Sequence, residues 1–364
     1  LDDTMIVLIS DNGASLEGGE DGILNEYARY NNLLLPLEDL VVNIDKIGGP
    51  EFMNHYPRGW SMAGNTPFRD WKRSCYQGGI ADPLIIHWPE TIKDQGSIRN
   101  QYHHVTDLLP TVLEALDIEA PKSISGVQQS DIEGVSMWYS ITDHAAESRK
   151  KIQYYEMLGG RAIYYDGWKA VADHIPMSST GNFSNDRWEL FYLPDDPNET
   201  NDLSEVHPEI VRDLVDRWWS EAGRHKVLPL DDRGYERWPD PRPVVSPQRE
   251  VYEYLPNTQP IFGRGAVNTV NRDFDITATI TPNPVGVTEG VILAHGNRCG
   301  GYTLFIQDEK AHFVYNLCSV REYRVSAPVT SVNGITQISV NYTKTDGQSQ
   351  GRVDLIVGNG EPVT

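Results

Sequence analysis

The stretch Thr4-Met5-Ile6-Val7-Leu8-Ile9-Ser10-Asp11-Asn12-Gly13 decides how the first part of the chain folds. Its unbroken apolar run, rich in β-branched residues and ending abruptly in polar ones, predicts a strand buried on both faces of a mostly parallel sheet with flanking helices. In open α/β sheets ligands bind beyond the carboxyl ends of strands, which puts Asp11 and Asn12 where a site belongs. Gly13 lets the backbone turn away beneath a ligand. A carboxylate beside an amide carbonyl offers two hard oxygen donors, suited to Ca²⁺ or Mg²⁺ rather than Zn²⁺. Asp-Asn-Gly is also ordinary turn chemistry, so the tripeptide alone leaves both readings open. A central strand needs neighbours on both sides, and residue 1 leads straight into this one. The chain is therefore expected to begin inside a domain.

At 364 residues the chain has room for two or three domains, and its 9 Trp, 18 Tyr and 8 Phe point to packed cores rather than disorder. A net charge of −21 argues against sequence-independent nucleic-acid binding, which needs a basic surface. An anionic substrate would be repelled at long range unless a metal and local Lys or Arg reverse the sign within the site. No apolar run reaches the roughly 18 residues of a membrane span. Cys75, Cys299 and Cys318 are too few for a disulfide framework, although a single Cys299 to Cys318 bridge stays open.

Beyond Gly13 the pattern is irregular to residue 60, with a short helix expected within Leu37 to Ile47. His55, Tyr56, Trp60 and Tyr30 fit either a substrate wall or local packing. Pro83-Leu84-Ile85-Ile86-His87-Trp88-Pro89 predicts a second buried strand. Before it, Arg69 and Lys72 lie on a loop where a cation meets a charged ligand, or where it is simply solvated. Thr106 or Asp107 caps a helix in which Leu109, Val112, Leu113 and Leu116 form one stripe, and of His103 and His104 one is expected to be exposed.

From Lys151 short β runs follow at Gln153 to Met157, Arg161 to Tyr165, Trp168 to Ala172 and Arg187 to Tyr192, then an amphipathic helix from Pro208 to Gly223. That helix is expected to turn Ile210, Val211, Leu214, Val215, Trp218 and Trp219 inward. Residues 226–262 are rich in proline and charge, which is linker chemistry. From 263 to 364 only strands are expected, in the regular spacing of a β-sandwich, and the C-terminus too is expected to be cut short. Asn182-Phe183-Ser184, Asn198-Glu199-Thr200 and Asn341-Tyr342-Thr343 match glycosylation sequons, a pattern that also arises by chance.

Taken in order, Ser10-Asp11-Asn12-Gly13, Arg69-Asp70-Trp71-Lys72, Gln77-Gly78-Gly79-Ile80 with Pro83, Asp107-Leu108-Leu109-Pro110-Thr111, Arg161-Ala162-Ile163 with Trp168-Lys169-Ala170-Val171, and Trp188-Glu189-Leu190-Phe191 with Asp195-Asp196-Pro197 form one series. It resembles the C-terminal half of the type I, arylsulfatase-like sulfatases of the alkaline phosphatase superfamily. The resemblance implies that residues 1–150 are the C-terminal part of the catalytic domain and 151–225 its small sheet-and-helix subdomain. The sandwich would be an appended lectin- or laminin-G-like module. The resemblance further implies that Asp11 and Asn12 are metal ligands for Ca²⁺ (or Mg²⁺) and that Lys72 is catalytic, contacting the sulfate. His55, Asn65 and Arg69 do not map onto catalytic positions and stay as candidate pocket residues.

The activity implied is hydrolysis of a sulfate ester, on a small molecule or a sulfated glycan, by a formylglycine that a formylglycine-generating enzyme installs. No Cys or Ser followed by x-Pro-x-Arg occurs in this sequence. Formylglycine is thus expected in an N-terminal half outside it, and the chain as given is expected not to turn over an ester alone. The alternatives are a phosphodiesterase or phosphonate hydrolase of the same superfamily, and a non-catalytic glycan-binding protein in which Tyr302, Tyr315 and Tyr323 stack on sugar rings. The compartment stays open, cytoplasmic or periplasmic in a bacterium.

Overall fold

The structure is a computed structural model that describes residues 1–33, 35–175, 178–237, 249–263, 265–281, 288–297, 299–329, 336–345 and 350–364. The proline-rich heart of the expected linker, 238–248, and the turn at 346–347 lie outside the described residues. The first half of the chain runs β1 (Ile6–Ile9), α1 (Glu26–Tyr30), α2 (Leu37–Val42), α3 (Arg58–Asn65), α4 (Gln77–Ile80), β2 (Leu84–His87), α5 (Leu108–Ala115), the small hairpin β3 (Ser123–Ile124) and β4 (Val127–Gln128), and α6 (Trp138–Thr142). Then come β5 (Ile152–Met157), β6 (Gly160–Tyr165), β7 (Trp168–Ala172), β8 (Trp188–Tyr192) and α7 (Pro208–Arg224). The last seven strands are β9 (Phe274–Ile280), β10 (Gly290–Asn297), β11 (Gly300–Gln307), β12 (Lys310–Leu317), β13 (Arg321–Pro328), β14 (Thr336–Lys344) and β15 (Gly351–Val357). The chain divides into two units, Leu1–Leu16 with Arg58–Asp240, and Glu17–Pro57 with Pro241–Thr364. Residues 17–57 thus group with the C-terminal strands and not with the rest of residues 1–150.

In the first unit β1 pairs with β2 antiparallel, from Ile6 opposite His87 to Ile9 opposite Leu84. Among the described residues this is a two-stranded sheet, and Ile6, Leu8, Ile9 and Ile85 are exposed. The expectation of a parallel strand buried on both faces is corrected here. An apolar run records that a strand is apolar and says nothing of its neighbour's direction.

The four-stranded antiparallel sheet β5-β6-β7-β8 carries a buried cluster on each face. Because side chains alternate along a strand, Ile163, Ala170 and Leu190 face α7 and meet Leu214, Trp218 and Ala222. Ala162, Val171 and Phe191 face the other way and pack on Cys75 and Tyr76. Each large apolar side chain buried in this way contributes roughly 1.5–3 kcal/mol. Trp218 is fully buried and its indole N–H donates to the Tyr155 carbonyl at 3.1 Å. Trp219, expected inside, stands 43% exposed and edge-on to Trp218, since adjacent helix positions lie about 100° apart.

The helix expected near Asp107 begins one residue later, at Leu108, after a 3₁₀ turn over Val105–Asp107. Asp107 is buried and accepts from the His104 backbone N–H (2.8 Å), the Val135 N–H (2.8 Å) and Lys150 Nζ (2.9 Å). Leu109 and Leu116 are exposed, so the apolar stripe is only partly covered. Neither His103 nor His104 is the exposed one foreseen. His103 lies edge-on to Tyr139 and beside Ser140 Oγ, His104 caps the turn, and burial lowers both pKa values.

In the second unit the strands form two antiparallel sheets, β10-β11-β12-β13 and β15-β14-β9. Leu304, Ile306, Phe313, Ile338, Val340 and Leu355 fill the space between them. Tyr302 stacks on Phe274, while Tyr315 and Tyr323 lie opposite one another on β12 and β13, partly exposed.

One polar cluster ties the loop after β7 to the small sheet. His174 Nδ1 lies 3.0 Å from the Asp186 carboxylate and Nε2 lies 3.1 Å from Asp232. Asp232 also accepts from Ser178 Oγ and the Thr180 and Gly181 backbone N–H groups. Burial alone would lower the His174 pKa, yet the bonds to Asp186 and Asp232 outweigh it and the pKa ends raised. A histidine raised on folding adds stability that is fully present below its unfolded value, about 6.5, and is lost as pH rises through the folded value. Urea titrations above about pH 6.5 are therefore expected to show stability falling with pH. His174→Gln, which carries no titrating proton, is expected to flatten that slope, and an unchanged slope would rule the cluster out as its source.

Candidate functional site

Three glycines let two segments of the first unit lie backbone against backbone. A Cβ on Gly13 would sit 1.8 Å from the Gly78 carbonyl oxygen, one on Gly78 would sit 2.2 Å from the Arg69 oxygen, and one on Gly79 would sit 2.1 Å from the Ser74 oxygen. No side chain fits at that approach. The Gly13 N–H donates to Gly79 O at 3.2 Å, and the Lys72 N–H donates to Ala14 O at 3.0 Å. The turn that carries Asp11 and Asn12 and the loop that carries Lys72 are thereby joined.

Asn65, at the end of α3, completes the junction. Its Oδ1 accepts from the Ala14 N–H at 2.9 Å, and its Nδ2 donates to the carbonyls of Asp70 and Gly78, both at 2.8 Å. Sequence reasoning left it as a pocket candidate. The structure gives it a supporting role, with its amide engaged by backbone on both sides.

Within the loop Asp70 and Arg73 have positive φ values of 65° and 82°, uncommon for residues other than glycine. Asp70 Oδ2 accepts from Ser74 Oγ (3.0 Å), and Ser74 Oγ accepts from the Tyr76 N–H (3.1 Å). Arg69 lies 3.9 Å over the Tyr76 ring and donates to Glu189 at 3.1 Å, and Glu189 also accepts from the Tyr76 hydroxyl at 2.8 Å. Burial and that bond push the Tyr76 pKa far up. Arg69 is thus held by the small sheet, with an exposed flank. Beneath the loop, Glu199 accepts from the Gln77 N–H and from Lys169 Nζ, both at 2.6 Å, and Lys169 Nζ also donates to Gln77 Oε1 at 3.0 Å. Lys169 and Glu199 are buried, and sequence reasoning missed both as supports of the site. The sequence signal for Lys169 is a charged residue among apolar neighbours in Trp168-Lys169-Ala170-Val171, and Glu199 stands at the end of the acidic stretch Asp195-Asp196-Pro197-Asn198-Glu199.

His55, the remaining pocket candidate, belongs to the second unit. There its backbone bridges Ile23 and its ring faces Glu26 at 3.5 Å.

Asp11 is exposed and Asn12 half-buried. Burial and the charge of Asp11 raise the pKa of Asp82 to about 6. Continuing the β1–β2 register by two residues puts Asp82 opposite Asp11. Two carboxylates side by side, beside an amide oxygen, are chemistry that a hard divalent cation relieves. Among the described residues there is no group of three or more His, Cys, Asp or Glu that could hold a metal. The donors present fit part of a Ca²⁺ shell, which takes six to eight oxygens.

Residues 1–118 match the family model described as Sulfatase, and residues 68–221 match the model described as N-sulphoglucosamine sulphohydrolase, C-terminal. An uncharacterized sulfatase of Schizosaccharomyces pombe is 28% identical over 220 residues, covering 60% of this chain and 37% of that protein. An N-acetylgalactosamine-6-O-sulfatase of Bacteroides thetaiotaomicron is 27% identical over 163 residues, covering 42% of this chain and 30% of the relative. The crystal structure of Ps i-CgsB aligns at TM-score 0.41 and 19% identity, over 65% of this chain and 40% of that one. The chain spans between 30% and 42% of the length of such curated relatives.

Asn65→Ala leaves the Ala14 N–H and two carbonyls without their partner, an expected loss of about 1–3 kcal/mol in chemical denaturation. Hydrogen exchange is expected to rise first in residues 13–15 and 69–79, and a uniform rise across the unit would deny Asn65 its stapling role. Two overlapping sulfatase family models that together cover residues 1–221, and relatives that are themselves sulfatases, mark that part of the chain as similar to the sulfatases.

Proposed function

We propose that this chain is the part of a sulfuric ester hydrolase that supplies one side of the metal site and a sulfate-binding cation. The observation that carries the reading is the junction between the two segments: the Lys72 N–H bonds Ala14 O, two residues past Asn12. In this reading Asp11 and Asn12, with Asp82 beside them, hold a divalent cation, and Lys72 contacts the sulfate group. The cation, when bound, offsets negative charge on the sulfate oxygens and on the departing oxygen. Lys72 adds a positive charge on a loop whose backbone is already held, so little reorganisation is needed as charge develops. Glu199, Lys169 and Asn65 keep that loop in place, and Arg69, tied to Glu189, lines the approach. Formylglycine, the nucleophile implied by the family, has no motif in this sequence and is assigned to the rest of the protein.

A sulfated sugar is the substrate class supported by relatives whose names include an N-acetylgalactosamine-6-O-sulfatase and an ulvan-active sulfatase. Against a net charge of −21, such a polyanion needs the cation and Lys72 to make the site locally positive.

The test uses the full-length protein co-expressed with a formylglycine-generating enzyme and assayed on 4-nitrophenyl sulfate and bis-4-nitrophenyl phosphate. Sulfate release is expected to vanish with chelator and to fall by about 10²–10³ in Lys72→Ala. Asp11→Ala is expected to weaken metal dependence as well as rate. Preference for the phosphodiester would move the assignment to phosphate chemistry, and full activity in Lys72→Ala would remove that residue from the site.

A further inference from the structure

We infer that Cys299 and Cys318 are a disulfide pair, a covalent site that closes when the chain meets a small-molecule disulfide oxidant. β11 and β12 pair antiparallel with Gly301 opposite Asn316. Two residues beyond that pair, Cys299 and Cys318 stand in turns at the same end of the two strands. The backbones there are in contact, since a Cβ on Gly300 would lie 3.6 Å from Cys318 N and 3.7 Å from its Cα. Cys318 has a φ of 51° and begins the β12–β13 turn, so its Cβ spacing to Cys299 is set by the two turns rather than by strand pairing. A disulfide needs about 3.5–4.5 Å. Both residues lie just beyond strand ends, where backbone shifts bring the Cβ atoms to that spacing.

The pair is also sheltered. Cys299 and Cys318 are 2% and 8% exposed and carry free thiols. Residues from 17–57 of the same unit sit against them. Asn25 Nδ2 donates to the Cys318 carbonyl, Asn31 Nδ2 donates to Cys318 Sγ at 3.5 Å, and Met53 Sδ lies 3.9 Å from Cys299 Sγ. Burial and the neighbouring Cys299 raise the Cys318 pKa, in keeping with two sulfurs near each other and away from cations. Cys75 lies in the other unit, packed under the small sheet, and takes no part.

The chemistry balances with glutathione disulfide as oxidant. One cysteine thiolate attacks a sulfur of glutathione disulfide and releases the first glutathione thiol. The second cysteine thiolate attacks the resulting mixed disulfide and releases the other. Two protons leave the protein and two electrons pass to the oxidant. Closure links the β10–β11 turn to the β12–β13 turn beneath Asn25, Asn31 and Met53.

The full chain, purified reduced, is incubated with excess glutathione disulfide at about pH 8, and a second sample is refolded from urea in the same buffer so that access is not limiting. The expected product has lost about 2 Da and yields tryptic peptide 299–310 joined to 311–321, with Cys75 still alkylatable after unfolding. Cys299→Ser and Cys318→Ser are each expected to leave one thiol that carries at most one glutathione. Two separate glutathione adducts, a bridge that includes Cys75, or free thiols at 299 and 318 in the refolded sample would each overturn the pairing.

Discussion

The approach of Gly13 to Gly78 and Gly79 sets the geometry on which the candidate site depends. Backbone atoms there are so close that any Cβ would overlap a carbonyl oxygen, so the contact is made only by glycine. What fills the space instead is hydrogen bonding: Gly13 to Gly79, Lys72 to Ala14, and Asn65 to three backbone groups. The β1 end and the Lys72 loop are distant in sequence, and a backbone-to-backbone junction fixes them more tightly than side-chain packing would. The candidate residues Asp11, Asn12 and Lys72 are carried on that frame.

The small antiparallel sheet carries the frame from below. One face takes α7 through Trp218, and the other takes Cys75 and Tyr76, the residues that lead into Gln77 and the two glycines. The two central strands, β6 and β7, are buried on both sides for this reason. The Lys169–Glu199 pair sits at that second contact and is buried, so its value lies in specificity as much as stability. Desolvating two charges consumes most of what their attraction returns, while losing either partner strands a charge.

Much of this was legible in the sequence wherever the signal was local. The antiparallel strands from 152 to 192, the helix at 208–224 and the seven strands after residue 274 follow from alternation, helical period and turn residues. The likeness to sulfatases follows from an ordered series of short blocks, Asp11-Asn12-Gly13 and Lys72 among them. What was not legible depends on partners far along the chain. Asn65 reads as a helix-end polar residue until Ala14, Asp70 and Gly78 are seen around it. Glu199 reads as part of an acidic loop until Gln77 and Lys169 reach it. The direction of β1 against β2 was hidden because apolar strands look alike in either sense. The grouping of residues 17–57 with the late strands rests on contacts such as Asn25 to Cys318, across 293 positions. Trp219 shows the limit within one helix, where a neighbour of a buried residue shares its composition but not its direction.

The buried pair under the Gln77 turn also has a consequence in time. A chain leaves the ribosome from its N-terminus, and domains commonly form as they emerge. The loop with Lys72 emerges early, yet the Gln77 N–H finds its acceptor only in Glu199, which is 122 positions later. Until β7 and the residues after β8 have been made, that turn has no carboxylate to close on and Lys169 has no partner for its charge. The early part of the site is therefore completed by a late part of the chain, and a ribosome pausing before residue 199 would hold out a loop whose two halves are joined but whose floor is missing.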